Sequence, residues 1–280
     1  MAPETFLEQL KANAVTTSYT IAFSVRCGST VLSNILTSLN CGAPMEYFQY
    51  PYETNNFFKV CSGRSIINQL FLLVATHARD GIFGSKMMHN HRAHLDGHLC
   101  KYIDNYGSLG DVFPKHKWLF MRRRDVINQA ISWHVAASSQ RWHVSSDDDD
   151  FKYQDIPYDY FSILSKVMIL CANSVNWETY FALMKIAPHT IVYEDFIVDV
   201  EATVSGIIEF LEVDTSVSGG VFQRDGGLSR LYTKAKATYD SLKARFMDDF
   251  MRIGHPDDNV RLGPSFEKWN KFFFESQWRM

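Results

Sequence analysis

The chain has 280 residues, 46% of them hydrophobic, with a net charge of −3 and five cysteines. That length and apolar content support one substantial core, and the near-neutral balance supplies no global field for nucleic acid or an anionic membrane. Residues 1–17 lack the apolar run of a signal peptide and the longest apolar stretches, such as 66–75, are too short for membrane insertion. The scattered cysteines (Cys27, Cys41, Cys61, Cys100, Cys171) read as reduced thiols of a cytoplasmic protein.

In chain order, Tyr19–Phe23 reads as a short buried strand, and Thr30–Leu39 carries apolar residues at helical spacing. Gly28 between them permits a tight turn. A strand, turn and helix in this order aim backbone N–H groups, two hydroxyls and the positive end of a helix at one spot, to which Arg26 adds a charge. That spot suits a phosphate. The nucleotide-triphosphate loop G-x-x-x-x-G-K-[ST] is not met, because Gly28 is followed by Ser29 and Thr30 with no lysine.

A turn at Cys41–Pro44 leads into an aromatic stretch, Tyr47–Phe58. A helix is predicted over Ser65–Arg79, a second strand over Gly81–Met88 and a helix over His94–Tyr106. Lys117–Met121 reads as a third strand running into Arg122, Arg123 and Arg124, and Asp125 as the N-cap of a helix from Val126 to about Gln140. The acidic run at 147–150 reads as a solvated loop. A long helical region covers Tyr158–Lys185, a fourth strand His189–Tyr193 and a helix Glu201–Leu211. Polar helical segments follow, ending in an aromatic tail from Trp269 to Trp278. Strands separated by helices predict a three-layer α/β fold with a mostly parallel central sheet flanked by helices, without internal repeat or convincing domain boundary.

Ligands of an open parallel sheet bind beyond the carboxyl ends of its strands. Arg26–Thr30, Lys86–His91, Arg122–Arg124 with Ser132 on the next helix, and Glu194–Asp195 all fall there. Three consecutive arginines facing a second anion-binding turn suggest a ligand with two separated anionic groups; a solvated basic corner is the plain alternative. A thiolate at Cys27 would be favoured in such a turn. The phosphatase pattern C-x-x-x-x-x-R is broken by Ser33, so Cys27 reads as a small residue that lets backbones approach, in a loop left sensitive to oxidation. His94 and His98 share a helix face, but no H-E-x-x-H or acidic third ligand accompanies them, and no metal site is predicted.

Arg26-Cys27-Gly28-Ser29-Thr30 followed by Pro44-Met45-Glu46-Tyr47-Phe48 resembles the N-terminal signature of bacterial sulfotransferases related to trehalose 2-sulfotransferase. Phe83–Met88 resembles the family's G-x-K-x-M strand, Arg123–Trp133 its R-x-D-x-x-x-Q-A-x-S segment, and Val192–Phe196 its Y-E-D-[LF] segment. The resemblance implies a single sulfotransferase domain over residues 1–280 with a P-loop-like fold. It implies a nucleotide donor, 3′-phosphoadenosine 5′-phosphosulfate, and a carbohydrate or glycolipid hydroxyl as acceptor.

By the same resemblance Arg26, Cys27, Gly28, Ser29 and Thr30 bind the 5′-phosphosulfate, while Ser132 and Arg123 or Arg124 bind the 3′-phosphate. Arg224 and the N–H of Gly226 stand in a closing loop where Asp225 replaces the common lysine. Glu46 matches the family's proposed base, with His89 and His91 as competing bases, and Lys86 would neutralise charge on the bridging oxygen as the nucleotide leaves. Tyr47, His89 and Trp133 are candidate acceptor contacts. The trehalose enzyme's second acidic residue, just before the proline, is replaced by Ala43, which leaves a small non-carbohydrate metabolite open as acceptor. Related enzymes suggest a homodimer. The competing readings are a metal-dependent small-molecule kinase, against which the missing lysine argues, and a nucleotide-binding protein without turnover.

Overall fold

Four short apolar runs, β1 (Thr17–Phe23), β2 (Ile82–Met88), β3 (Lys117–Arg122) and β4 (His189–Val192), pair in the order β2-β1-β3-β4, and every pairing is parallel. The structure is a computed structural model and describes residues 15–49, 66–142, 156–213 and 226–253. The helices are α1 (Ser29–Ser38), α2 (Ile66–His77), α3 (His89–Leu99), α4 (Val126–Ser139), α5 (Tyr160–Leu183), α6 (Tyr193–Val198), α7 (Val200–Leu211) and α8 (Gly226–Ile253).

Parallel strands are joined by crossovers that lay helices on both faces, so both faces of such a sheet are apolar. On one face Tyr19, Ile21 and Phe23, with Leu119, Met121 and Ile191, pack against Leu32 and Leu36 of α1, Phe196 of α6 and Ile207 and Leu211 of α7. On the other, Ala22, Phe83, Met87, Trp118 and Phe120 meet Leu70 and Val74 of α2, Leu95 and Leu99 of α3, and Trp177 and Phe181 of α5. The expected three-layer α/β architecture is therefore present, with its sheet wholly parallel.

The chain divides into two compact units, Met1–Arg124 with Asn173–Gln223 and Asp125–Ala172 with Arg224–Met280. The first holds the sheet. In the second, Asp125 caps α4 by accepting from the Asn128 N–H (2.9 Å), and its other oxygen meets Lys243 of α8 at 2.6 Å. Tyr158 donates to Asp249 (2.6 Å), and Tyr160 stacks on Phe246.

Two predicted elements shift. The helix after β2 begins at His89 and ends at Leu99, where His94–Tyr106 was expected. Its buried side chains, His91, Leu95 and Leu99, recur every four residues, but the first is a histidine, so the apolar period starts a turn too late. The fourth strand stops at Val192, and Tyr193 opens a six-residue helix with Glu194 and Asp195 in its first turn. The aromatic stretch beyond Gln49, the acidic run at 147–150 and the aromatic tail lie outside the described residues.

Candidate functional site

The turn from β1 to α1 is bent by left-handed backbone at Arg26 (φ 62°) and Gly28 (φ 92°). Glycine is required at the second position twice over. A Cβ there would fall 2.6 Å from the Tyr193 ring and 3.1 Å from the Met121 side chain. Tyr193 in turn carries the Arg123 guanidinium 4.2 Å above its ring, and Arg123 donates to the Arg26 carbonyl oxygen (3.2 Å) and lies 3.6 Å from a Glu194 oxygen. The turn is thus clamped from the ends of β3 and β4. Gly28 caps α1 without a side chain, and no acid stands in the first turn, which leaves the helix's positive end suited to an anion. Cys27 is fully buried beneath the turn. Burial pushes its thiol up, against weaker opposing pulls from hydrogen bonds to Ser29 and Ser24 and from the Arg123 charge, so it stays a thiol rather than the thiolate that an anion-binding turn alone would favour.

Across the β1–β2 edge, Lys86 reaches both sides of the site. Its Nζ donates to Thr30 Oγ1 on α1 (3.3 Å) and lies 3.2 Å from Glu46 Oε1 and 5.5 Å over the Phe23 ring. Backbone pairing sets this geometry. Met45 bridges to Ser85 at the sheet edge and accepts from the Lys86 N–H (3.0 Å), which carries Glu46 alongside. The preceding turn is held by Tyr19, which donates to the Cys41 carbonyl (2.7 Å) and occupies the space a side chain at Gly84 would need. The result is an ammonium between a hydroxyl at the start of α1 and a carboxylate, with Glu46 more open to solvent (27%) than Lys86 (10%).

Beside this core, Tyr47 is buried, donates to the Ala43 carbonyl (2.6 Å) and packs on Phe83 and His77; burial pushes its phenol up to about 12. Its ring is packed in the core, away from the role of an open acceptor platform. The arginine run parts three ways. Arg122 pairs with Glu178 (2.9 Å), Arg123 clamps the turn, and Arg124, 60% exposed, pairs with Asp195 while its N–H donates to Glu194 (2.9 Å). Tyr193 is not among the predicted site residues; its sequence signal is its place as the first residue of the Tyr-Glu-Asp segment at the end of the fourth strand. Among the described residues no group of three or more His, Cys, Asp and Glu side chains is arranged to hold a metal ion, and no described helix is long and apolar enough to cross a membrane.

A family model described as Stf0 sulphotransferase matches residues 18–224, from β1 through every turn described above. The chain belongs to the Stf0 sulphotransferase family. Trehalose 2-sulfotransferase of Mycobacterium tuberculosis is 24% identical over 231 residues, which are 71% of this chain and 86% of that protein. Within this Stf0 sulphotransferase, the first unit brings together Arg26–Thr30, Lys86, Glu46 and Arg123 through the contacts given. Ser132 and Trp133 lie on α4 in the second unit, Ser132 on its buried face and Trp133 with Lys166 Nζ 5.7 Å over its ring. Gly226 is the first residue of α8, and Arg224 lies outside the described residues.

Proposed function

We propose that this Stf0 sulphotransferase moves the sulfuryl group of 3′-phosphoadenosine 5′-phosphosulfate to a hydroxyl of a carbohydrate or glycolipid by in-line displacement, as one functional domain needing no metal. The observation that carries the reading is Lys86, seated between the anion-binding turn and Glu46. The N–H groups of the turn and Arg26 hold the 5′ end of the nucleotide. Glu46 accepts the acceptor's proton as its oxygen bonds to sulfur, and the bond from sulfur to the 5′-phosphate oxygen breaks. Lys86 meets the charge that grows on that leaving oxygen, and 3′-phosphoadenosine 5′-phosphate departs. Such transfer asks the protein for position and charge stabilisation and little covalent chemistry.

The carbohydrate class is carried from the Mycobacterium tuberculosis relative, whose name gives a disaccharide as its acceptor. Ala43, at the position where the resemblance implies a second acid for trehalose as acceptor, favours as second reading a hydroxylated metabolite other than a sugar. The reading includes a cytoplasmic location, in keeping with free thiols at Cys27, Cys41, Cys100 and Cys171, and a homodimer.

The test begins with heat. At a hundredfold excess over its Kd, 3′-phosphoadenosine 5′-phosphate should stabilise the fold by about 2.7 kcal/mol, with AMP and ATP far behind because neither carries both anionic groups. Equal shifts from all three would remove the donor assignment. Incubation of the protein and 35S-labelled donor with metabolite extracts should yield a labelled ester, and its hydrolysis products identify the acceptor.

A further inference from the structure

His89 stands at the carboxyl edge of the sheet, where β2 passes directly into α3 with Met88 as N-cap. Its strand neighbour Met88 is in register with Phe23, the last residue of β1. Its ring lies edge-on to Trp177 (centroids 5.3 Å apart, planes at 88°), and the fully buried Trp177 donates from Nε1 to the Phe23 carbonyl (3.3 Å). One indole therefore ties this imidazole to the residue from which the anion-binding turn departs.

The ring's protonation is set from the other side. His89 Nε2 is 3.2 Å from Arg92 Nη2. A guanidinium has donors only, so Nε2 must be the acceptor, and a neutral ring then carries its proton on Nδ1. Arg92 has little freedom to move. It pairs with Asp96, its guanidinium lies 3.9 Å over the Tyr180 ring, and the second Asp96 oxygen accepts from Tyr106 Oη (2.5 Å). Burial, with the Arg92 charge adding to it, lowers His89 to about 4, which keeps the ring neutral near pH 7. Among the described residues Nδ1 has no hydrogen-bond partner.

We propose that Arg92, clamped by Asp96 and Tyr106, is a positioning residue that locks His89 as an Nδ1–H donor, and that His89 gives this hydrogen bond to a sulfonate oxygen of the bound nucleotide. The proposal rests on the donor assignment above. It removes His89 from contention as general base, because its single lone pair is engaged by Arg92. A neutral donor supports the anion at the edge without adding a further cation beside Lys86 and Arg26.

The test uses the full chain and two nucleotides that differ only in the sulfuryl group. With ring-15N-labelled histidine, His89 should show an unprotonated Nε2 and a protonated Nδ1, unchanged between about pH 6 and pH 8. His89→Ala should bind 3′-phosphoadenosine 5′-phosphosulfate about tenfold or more weakly and leave 3′-phosphoadenosine 5′-phosphate within about twofold. His89→Asn, whose amide nitrogen falls near the Nδ1 position, should restore most of the lost affinity. Arg92→Met should mix the two tautomers and erode the preference for the sulfated nucleotide, and Arg92→Lys should keep both.

A protonated Nε2 in the wild type overturns the proposal, as does an equal loss of both nucleotides in His89→Ala. If neither nucleotide binds the wild type, the donor assignment falls and this role falls with it. If both bind and His89→Ala changes neither, only the role of His89 is overturned.

Discussion

Gly28 illustrates how much of a ligand turn can depend on one missing carbon. With φ at 92° and the Tyr193 ring 2.6 Å from where a Cβ would stand, Gly28→Ala meets both backbone strain and overlap. The strain alone costs about 1–3 kcal/mol, so chemical denaturation should show at least that loss, together with weakened nucleotide binding. Adding Tyr193→Leu should recover the part due to overlap and leave the strain. Glu46→Gln keeps the shape of the site and removes the proposed base, so it should retain the nucleotide-induced thermal shift while transfer falls to background. Normal turnover by that variant would move the base elsewhere. Ser132→Ala tests the 3′-phosphate role by itself, with an expected loss of about 1.5–3 kcal/mol in nucleotide affinity if the hydroxyl bonds a charged oxygen. At this scale the geometry of the turn was legible, because a strand, a glycine and a helix in sequence are local. The state of Cys27 was not, since the cluster in which it is buried includes Met121, Ile191 and Phe196, far along the chain.

Helices and strands were legible wherever one period persisted. The spans of β1, β2, β3, α4 and α7 differ from expectation by two residues or fewer, as hydrogen-bonded ends allow. The two misplaced boundaries share a cause, a helix that opens on polar residues held by tertiary contacts. His91 fills the first inward position of α3, and the Tyr-Glu-Asp turn of α6 is held by arginines from the β3 end, so neither start shows in the hydrophobic pattern. A prediction belongs here too. Asp125 satisfies the Asn128 N–H at the start of α4 and holds Lys243 of α8. Asp125→Ala should therefore cost about 1–2 kcal/mol, above the usual loss of a cap, and Asp125→Asn should recover the cap while losing the ion pair. Urea unfolding of the three proteins separates the two contributions.

For the molecule as a whole, acid should be destabilising well above the range in which carboxylates titrate. His89 is lowered to about 4, and His116, packed between Phe113 and Trp118 and 2.9 Å from Ser18 Oγ, is lowered by burial to about 3. Both stay neutral in the fold while the unfolded chain protonates them near pH 6.5. Unfolding therefore takes up protons, and stability is full above that pH and declines as pH falls toward the folded values. Each histidine removes about 1.4 kcal/mol per pH unit. Between pH 7.5 and pH 5 the pair should lower the unfolding free energy by about 3–4 kcal/mol, and His89→Asn should show roughly half that decline.

The Lys86 contact has a kinetic consequence for the enzyme. At rest its ammonium masks the Glu46 carboxylate, and an incoming alcohol finds that carboxylate already engaged. On the proposed mechanism the nucleotide's anion draws the lysine toward the turn and unmasks the acid. Initial-rate patterns should then be ordered, with the nucleotide on first and off last. The spent nucleotide should compete with the donor and inhibit non-competitively against the alcohol. Random addition would show that the carboxylate is open to the alcohol from the outset.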